Sequence, residues 1–118
     1  IGDDILREFV LVVASAIKNT DFLVRWGGEE FIVFCPNHNV QQAAEKAEHI
    51  RRTVEHHLWC HNESLTCSLG VAEMKDERIS EVIARADDAL YKAKNAGRNR
   101  VITSVNIMGV NDSLRFRN

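Results

Sequence analysis

The most informative stretch of the sequence is Arg25-Trp26-Gly27-Gly28-Glu29-Glu30-Phe31, which joins two glycines to two adjacent carboxylates. The runs on either side, residues 22–24 and 31–35, are apolar, aromatic or β-branched and have the length of strands. A Gly-Gly pair between two such runs predicts a β-hairpin with the glycines at its tip. Pro36 cannot donate a hydrogen bond to a strand ladder, so it marks the end of the second strand.

The composition of this predicted hairpin tip suits a phosphorylated ligand. Because Gly27 and Gly28 have no Cβ, a flat or phosphorylated molecule could approach their backbone closely while the chain adopts positive φ angles. Glu29 and Glu30 add hard oxygen ligands, which Mg²⁺ bound to a nucleoside triphosphate requires. An ordinary hairpin with acidic shoulders fits the same residues, since short motifs give many false matches.

The apolar pattern of the remaining chain predicts helices that alternate with strands. The predicted helices cover residues 3–18, residues 40–57 and a third segment with Ser80 as N-cap and Gly97 as C-cap; the predicted strands cover residues 65–74 and 100–105. This order indicates an α+β fold, an α/β sandwich with a mainly antiparallel sheet flanked by helices. Residues 106–118 lose the pattern and are predicted to be a tail or linker, which leaves residues 1–105 as the domain.

The composition limits the class of partner. The 118 residues are 45% hydrophobic, which is enough for one domain with a modest core. The 17 acidic and 15 basic residues give a formal net charge of −2. We therefore expect no nucleic-acid partner, because the chain has no large positive field to hold a phosphate backbone.

The cysteines indicate a reducing compartment. The chain has three of them, Cys35, Cys60 and Cys67, an odd count without the spacing of a disulfide framework. A cytoplasmic domain is therefore expected. Residues 56–61 contain three histidines and Cys60, but their spacing matches no common zinc site, so a polar helix end and loop is the preferred interpretation.

The hairpin-tip sequence resembles the signature of the GGDEF family, the diguanylate cyclase domains, in a Glu-for-Asp variant. Three further blocks resemble family motifs in the right order. They are Gly2-Asp3-Asp4-Ile5-Leu6, Thr66-Cys67-Ser68-Leu69-Gly70-Val71-Ala72, and Ala86-Asp87-Asp88-Ala89-Leu90-Tyr91-Lys92-Ala93-Lys94-Asn95-Ala96-Gly97-Arg98-Asn99. The resemblance extends from Gly2 to about Val101 and covers nearly the whole chain.

The resemblance implies a ferredoxin-like, nucleotidyl-cyclase-like fold and an activity. Family members condense two GTP molecules into cyclic di-GMP and pyrophosphate, with Mg²⁺ or Mn²⁺ and a homodimer in which each domain holds one GTP. An upstream sensory or regulatory domain is expected, and the parent protein could be anchored to a membrane. The alternative function is a regulatory module that binds GTP or cyclic di-GMP without catalysis.

The resemblance also assigns roles to single residues. Glu29 takes the position of a metal ligand and is the first candidate to assist deprotonation of the GTP 3′-hydroxyl. Glu30 is a second catalytic candidate, although adjacent strand residues face opposite sides of a sheet, so both can serve one metal only if the tip is irregular. Gly27 and Gly28 are candidate substrate-binding residues.

Three further residues are candidate substrate contacts with an ordinary structural alternative. Asp3 matches the position that hydrogen-bonds guanine, but Asp is also a common helix cap. Lys94 and Arg98 match positions that contact the triphosphate, but they also place positive charge at a helix C-terminus, where it complements the helix dipole. Asp87 and Asp88 are assigned no chemistry and are expected to form a charged helix surface.

Lys18 and Asp21 resemble the remnant of a product-inhibition site. In many family members this site has an R-x-x-D motif just before the signature, and this chain has Lys18-Asn19-Thr20-Asp21 instead. Because lysine lacks the planar fork that holds phosphate or guanine at two points, feedback binding of cyclic di-GMP is expected to be weak or lost.

Family members also carry a first strand upstream of the GD-x-x-L block, with a metal-binding Asp, an FK pair and an Asn, and this chain does not contain them. The chain is therefore expected to be the C-terminal two-thirds of a domain, inactive or very weak by itself. The first strand would lie in the middle of the sheet, so its neighbours are expected to have unpaired edges that favour instability, aggregation or strand exchange.

Overall fold

The computed structural model describes residues 3–28, 30–62, 64–104 and 111–117, and over 111–117 and at residue 61 it describes the backbone alone. The helices are α1 (Asp3–Ser15), α2 (Val40–His56) and α3 (Ile79–Asn95), with a short 3₁₀ turn at Cys60–Asn62. The strands are β1 (Phe22–Gly27), β2 (Glu30–Pro36), β3 (Ser68–Met74), β4 (Val101–Thr103) and β5 (Asn111–Arg117). No helix within these described ranges is both long and apolar enough to cross a membrane.

The strands form one five-stranded sheet in the order β1-β2-β5-β3-β4. Only the β3–β4 pair is parallel among the described strand pairs; β1–β2, β2–β5 and β3–β5 are antiparallel. Helices cover both faces of this sheet, as the two hydrophobic clusters below demonstrate. The predicted α+β fold with a mainly antiparallel sheet between helices is confirmed.

The larger core lies between the sheet and the helices α1 and α2. Alternate β2 residues Phe31, Val33 and Cys35 face it and are at most 2% exposed. Most of the other members come from α1, α2 and β3, and include Phe9, Val13, Ala47, Ile50, Leu69 and Val71; Trp59 and Cys67 come from the segment between α2 and β3. Apolar residues three or four positions apart on each helix produce this buried side, as the sequence periodicity predicts.

The opposite face of the sheet packs against α3. Ala72 on β3 forms a small cluster there with Val82 and Ala86. At Gly70 the helix backbone comes so close that a Cβ would lie 2.1 Å from the Ala86 carbonyl oxygen and 2.4 Å from the Leu90 nitrogen. A glycine at this position is therefore needed for the close approach of strand and helix, which sets the position of α3 over the sheet.

The C-terminal segment is the main departure from the sequence-based expectation. Residues 106–118 were predicted to be a tail or linker, but residues 111–117 form β5 at the centre of the sheet. β5 pairs along its full length with β2 on one side and β3 on the other. The expected unpaired inner edges of β2 and β3 are thus absent from the described strands, since β5 occupies the position that the family resemblance gives to the first strand. That the domain ends at residue 105 remains a prediction.

The element boundaries differ from the predictions by a few residues. α1 ends at Ser15 rather than residue 18, and β3 begins at Ser68 rather than residue 65. α3 begins at Ile79 after the N-cap Arg78, so the predicted N-cap Ser80 lies inside the first turn. The backbone N–H of Arg78 donates to the Glu81 carboxylate at 3.1 Å, so the third residue of the helix satisfies the N-cap backbone.

Candidate active site

The hairpin tip, defined as residues 25–30, has an open backbone. Gly28 has a φ of +48°, and a Cβ on Gly27 or Gly28 would meet none of the described atoms within 4 Å. The Arg25 guanidinium donates to the Gly28 carbonyl oxygen from Nε at 2.9 Å and from Nη2 at 2.7 Å. The strand register shifts between Arg25 and Gly27, so the regular alternation of side chains is interrupted at the tip. Glu29, the predicted metal ligand, lies outside the described residues.

A cavity of about 410 Å³ lies beside the hairpin tip. Its lining includes Glu30, the first residue of β2, together with Asp87, Tyr91 and Lys94 of α3. The three α3 residues are spaced i, i+4 and i+7, so they occupy one side of the helix. The packing of α3 against β3 thereby brings Glu30 and Lys94, two predicted site residues from distant parts of the sequence, to one cavity.

The charges around this cavity suit a metal-bound phosphate. The lining contains three acidic residues, Glu30, Asp87 and Asp88, and the basic residue Lys94. Carboxylate oxygens are the ligands that Mg²⁺ and Mn²⁺ prefer, and lysine is a common phosphate ligand. The donor set of the described residues therefore fits a divalent cation with a phosphorylated ligand.

Asp87 is a cavity residue that the sequence interpretation missed, because it was assigned to a solvated helix surface. The signal that could have found it is its spacing from Lys94, which places both residues on the same side of α3. Asp88 has an additional partner, since Lys92 Nζ lies 3.2 Å from its Oδ2 on the exposed side of the helix.

Asp3 and Arg98 lie outside the lining of this cavity. Asp3 is exposed in the first turn of α1, where its negative charge interacts favourably with the positive end of the helix dipole. Arg98 is exposed and follows the C-terminus of α3 with a φ of 63°, after Gly97 with a φ of +126°. Gly97 lies one residue beyond the C-cap Ala96, so it ends the helix close to the predicted position. The proposed guanine and triphosphate contacts of Asp3 and Arg98 remain predictions.

The inhibitory-site remnant is at the other end of the hairpin, and its carboxylate faces inward. Asp21 Oδ2 accepts hydrogen bonds from Lys46 Nζ at 2.5 Å and from the Lys18 backbone N–H at 2.8 Å. The Asp21 side chain is completely buried and that of Lys46 is 9% exposed. Burial opposes ionisation of Asp21, but the hydrogen bonds from Lys46 and Lys18 outweigh it and lower the pKa of the carboxyl group.

His56, His57 and Cys60, near the end of α2, have partners within the protein. His57 Nε2 lies 2.7 Å from Glu8 Oε2, and the Cys60 backbone N–H donates to Glu8 Oε1 at 3.1 Å. His56 Nδ1 donates to the Arg52 carbonyl oxygen at 2.9 Å. The contact with Glu8 and partial burial raise the pKa of the Cys60 thiol to about 11.

Comparison with known proteins identifies the family to which the chain belongs. The family described as "Diguanylate cyclase, GGDEF domain" matches residues 1–100. Diguanylate cyclase DgcM of Escherichia coli strain K12 is 39% identical over 104 residues, which cover 87% of this chain and 25% of the relative. Diguanylate cyclase A of Treponema denticola is 38% identical over 110 residues, which cover 89% of this chain and 30% of the relative. The chain thus spans less than a third of the length of these two relatives.

Solved structures agree with the sequence comparison. The active GGEEF domain of a diguanylate cyclase from Vibrio cholerae superposes with a TM-score of 0.79 at 36% identity, covering 88% of this chain and 69% of that one. The GGDEF domain of DgcB from Caulobacter crescentus, in complex with c-di-GMP, has a TM-score of 0.80 at 34% identity, covering 88% of this chain and 65% of that one. The chain is a member of the GGDEF family of diguanylate cyclase domains.

Proposed function

We propose that the protein containing this domain is a diguanylate cyclase that condenses two GTP molecules into cyclic di-GMP and releases two pyrophosphates. The observation that carries the proposal is the shared cavity of Glu30 and Lys94 beside the open glycine backbone of the hairpin tip. A carboxylate and an ammonium group at one cavity fit a nucleotide whose phosphates are bound to a metal ion. The named relatives are diguanylate cyclases, which supports the same reaction class.

Each site residue has a proposed role in this reaction. Glu29 accepts the proton of the 3′-hydroxyl as that oxygen attacks the α-phosphate of the other GTP, and Glu30 contributes carboxylate charge beside it. Gly27 and Gly28 allow the nucleotide to approach the backbone. A divalent cation, Mg²⁺ or Mn²⁺, held by Glu29 would stabilise negative charge on the phosphoryl oxygens.

The remaining roles concern the triphosphate and guanine of each GTP and the homodimer in which the two nucleotides meet. Lys94 and Arg98 bind the triphosphate, and Asp3 accepts a hydrogen bond from guanine. Because each domain holds one GTP, the two nucleotides meet only in a homodimer, and a regulatory domain upstream controls that encounter. The 118-residue chain alone is inactive or very weak, since one pair of adjacent glutamates is a poor scaffold for two metal ions.

A product assay tests the proposal. The 118-residue chain and a version extended upstream are incubated with GTP and Mg²⁺, and cyclic di-GMP is quantified by chromatography. We expect product from the extended version, a loss of at least about 100-fold in Glu29→Ala, as for removal of a general base, and near-normal product in the control Glu45→Ala on the exposed side of α2.

The assay also separates the alternative function. GTP binding to a folded extended version without any product would establish a regulatory binding module and reject the cyclase proposal. Full product from the 118-residue chain alone would reject the claim that upstream residues are required. The intact sequence from Gly27 to Glu30 favours catalysis, because each of its four residues has a role in the proposed reaction.

A further inference from the structure

The hairpin base, defined as residue 21 and residues 35–38, gathers three different metal-binding side chains. Asp21 directly precedes β1, whose first residue Phe22 pairs with Phe34, so Asp21 lies level with Cys35. Asn37 turns the chain with a φ of 62° and brings His38 back over the strand end. One ligand atom from each of Asp21, Cys35 and His38 lies within 4.8 Å of the other two.

One carboxylate oxygen of Asp21 has no hydrogen-bond partner among the described residues. Oδ2 is held by Lys46 and Lys18, whereas Oδ1 is buried and accepts no hydrogen bond from any described residue. Asp21 as a whole is 7% exposed. A buried oxygen without a partner loses its hydration and gains nothing in return, so a bound cation would supply the missing interaction.

His38 is held in the tautomer that a metal ligand needs. Its Nδ1 lies 2.9 Å from the Pro36 carbonyl oxygen, which can only accept, so Nδ1 carries the proton and donates. The lone pair is then on Nε2. Metal-bound histidines commonly donate their other ring N–H to a carbonyl in this way, which fixes the ring orientation.

We propose that Asp21, Cys35 and His38 form a binding site for a Zn²⁺-class metal ion at the hairpin base, with a fourth position for water. The oxygen, sulfur and nitrogen donors match the ligand types of zinc, and Cys35-x-x-His38 has a spacing that a tight turn can close around one ion. On binding, the Cys35 thiol releases its proton to solvent and the thiolate sulfur donates an electron pair to the metal. The carboxylate and thiolate together neutralise the double charge of the ion.

Zinc binding would require the three side chains to close further. In a tetrahedral zinc site the bonds of about 2.0–2.3 Å place ligand atoms roughly 3.3–3.8 Å apart, whereas one ligand atom from each of the three residues lies within 4.8 Å of the others in this structure. His38 is half-buried at the turn, which leaves its ring able to adjust. His38 also lines a cavity of about 470 Å³ together with Lys18 and Lys46, so its ring can be reached from this cavity.

Lys46 opposes the proposed ion, and this gives the proposal a distinctive consequence. Its ammonium group lies on the second oxygen of the same carboxylate and repels a divalent cation. We therefore expect Lys46→Met to bind Zn²⁺ about tenfold more tightly. The same substitution lowers the free energy of unfolding of the metal-free protein, because it removes the ion pair with Asp21. A merely structural role of the cluster does not predict this gain.

The proposal is tested with the 118-residue chain, reduced and free of nucleotide. Co²⁺ is titrated first, and Zn²⁺ is then used to displace it. We expect one equivalent of Co²⁺ with a sulfur-to-cobalt charge-transfer absorption, which disappears in Cys35→Ser. In His38→Ala the affinity falls at least about 100-fold, since loss of an outer partner of a metal ligand alone costs about 10- to 100-fold.

The controls locate the ion. Cys60→Ser and His56→Ala remove metal-binding side chains near the end of α2 and are expected to leave the absorption unchanged. Circular dichroism establishes that each variant is folded, and the half-exposed His38 keeps the test valid if Cys35→Ser fails to fold. Absence of the charge-transfer band in the folded chain, its survival in folded His38→Ala with unchanged affinity, or its loss in Cys60→Ser overturns the proposal.

Discussion

The two ends of the β1–β2 hairpin carry similar residue types in opposite surroundings. At the hairpin tip, Gly27 and Gly28 are exposed and leave the backbone open beside a cavity of about 410 Å³. At the hairpin base, Asp21 and Cys35 are buried against α1 and α2. A carboxylate at the tip can therefore serve a large ligand that enters from solvent, whereas a carboxylate at the base needs a partner that fits inside the protein.

The difference follows from where the helices lie. α1 and α2 cover the hairpin base on one face of the sheet, and Lys46 reaches from α2 to Asp21. α3 approaches β3 closely through Gly70 and leaves space beside the tip that its residues Asp87 and Lys94 line. Burial thus decides the chemistry of each end, because a charge loses its hydration at the base and retains it at the tip.

The largest expected effect comes from deleting residues 106–118. β5 pairs with Glu30 at the tip and Pro36 at the base through its two ends, so its removal exposes the inner edges of β2 and β3 over both regions. We expect the truncated chain to lose its cooperative thermal unfolding transition and to aggregate, as measured by calorimetry and light scattering against the 118-residue chain. An unchanged transition in the truncated chain contradicts a central position of β5.

The second effect is a difference in the free energy of unfolding between variants at the hairpin base and variants at the hairpin tip. Asp21→Ala leaves the Lys46 ammonium buried without its carboxylate, and we expect a loss of about 3 kcal/mol in the free energy of unfolding, as for a broken buried ion pair. Glu30→Ala at the tip should cost less, because the half-buried Glu30 retains contact with solvent. Urea denaturation measures both.

The double variant Asp21→Leu with Lys46→Met provides the control. It replaces both charges by apolar groups and should recover most of the lost stability, because the unpaired buried charge is then absent. Equal losses for Asp21→Ala and Glu30→Ala argue against the contrast between a buried base and an open tip.

The third effect concerns substrate binding at the tip. In the version extended upstream, Lys94→Ala should raise the KM for GTP about tenfold, equivalent to about 1.4 kcal/mol of lost phosphate binding. Lys75→Ala is the control, because Lys75 follows β3 and does not line the cavity. Steady-state product formation measures both, and equal KM values for the two variants exclude a role of the cavity in GTP binding.

The smallest expected effect is weak binding of cyclic di-GMP at the hairpin base. Because the Asp21 carboxylate faces inward and Lys18 lacks a planar fork, added cyclic di-GMP should release little heat in isothermal titration with the 118-residue chain. The measurement is repeated with Asp21→Ala. Tight binding that this substitution abolishes, in a variant that remains folded, reverses the conclusion.

Local sequence patterns predicted the elements that depend on neighbouring residues. The hairpin, the three helices and the apolar sides of α1 and α2 follow from turn residues and helical spacing. The missed N-cap of α3 has a local cause as well, since Glu81 rather than Ser80 supplies the contact to the N-terminal backbone. Such boundaries depend on which of two nearby polar residues reaches the cap, and spacing alone cannot distinguish them.

The predictions were less complete where distant segments meet. Residues 111–117 lack a strong strand pattern, and their strand forms because β2 and β3 offer hydrogen-bonding edges on both sides. The sequence places histidines and a cysteine close together at residues 56–61. The structure instead brings Asp21, Cys35 and His38 together at the hairpin base. Asp21 and Cys35 are separated along the chain by the whole hairpin, so only strand register brings them level.

By itself the sequence determined the family, the hairpin and its glycine tip, because these depend on motifs and on the conformational freedom of single residues. The tertiary structure decided that β5 lies at the centre of the sheet, that Glu30 and Lys94 share a cavity, and that Asp21 faces inward toward Lys46. The physical reason is burial. The cost of removing a backbone or a charge from water depends on every segment packed around it, and that environment exists only after the chain has folded.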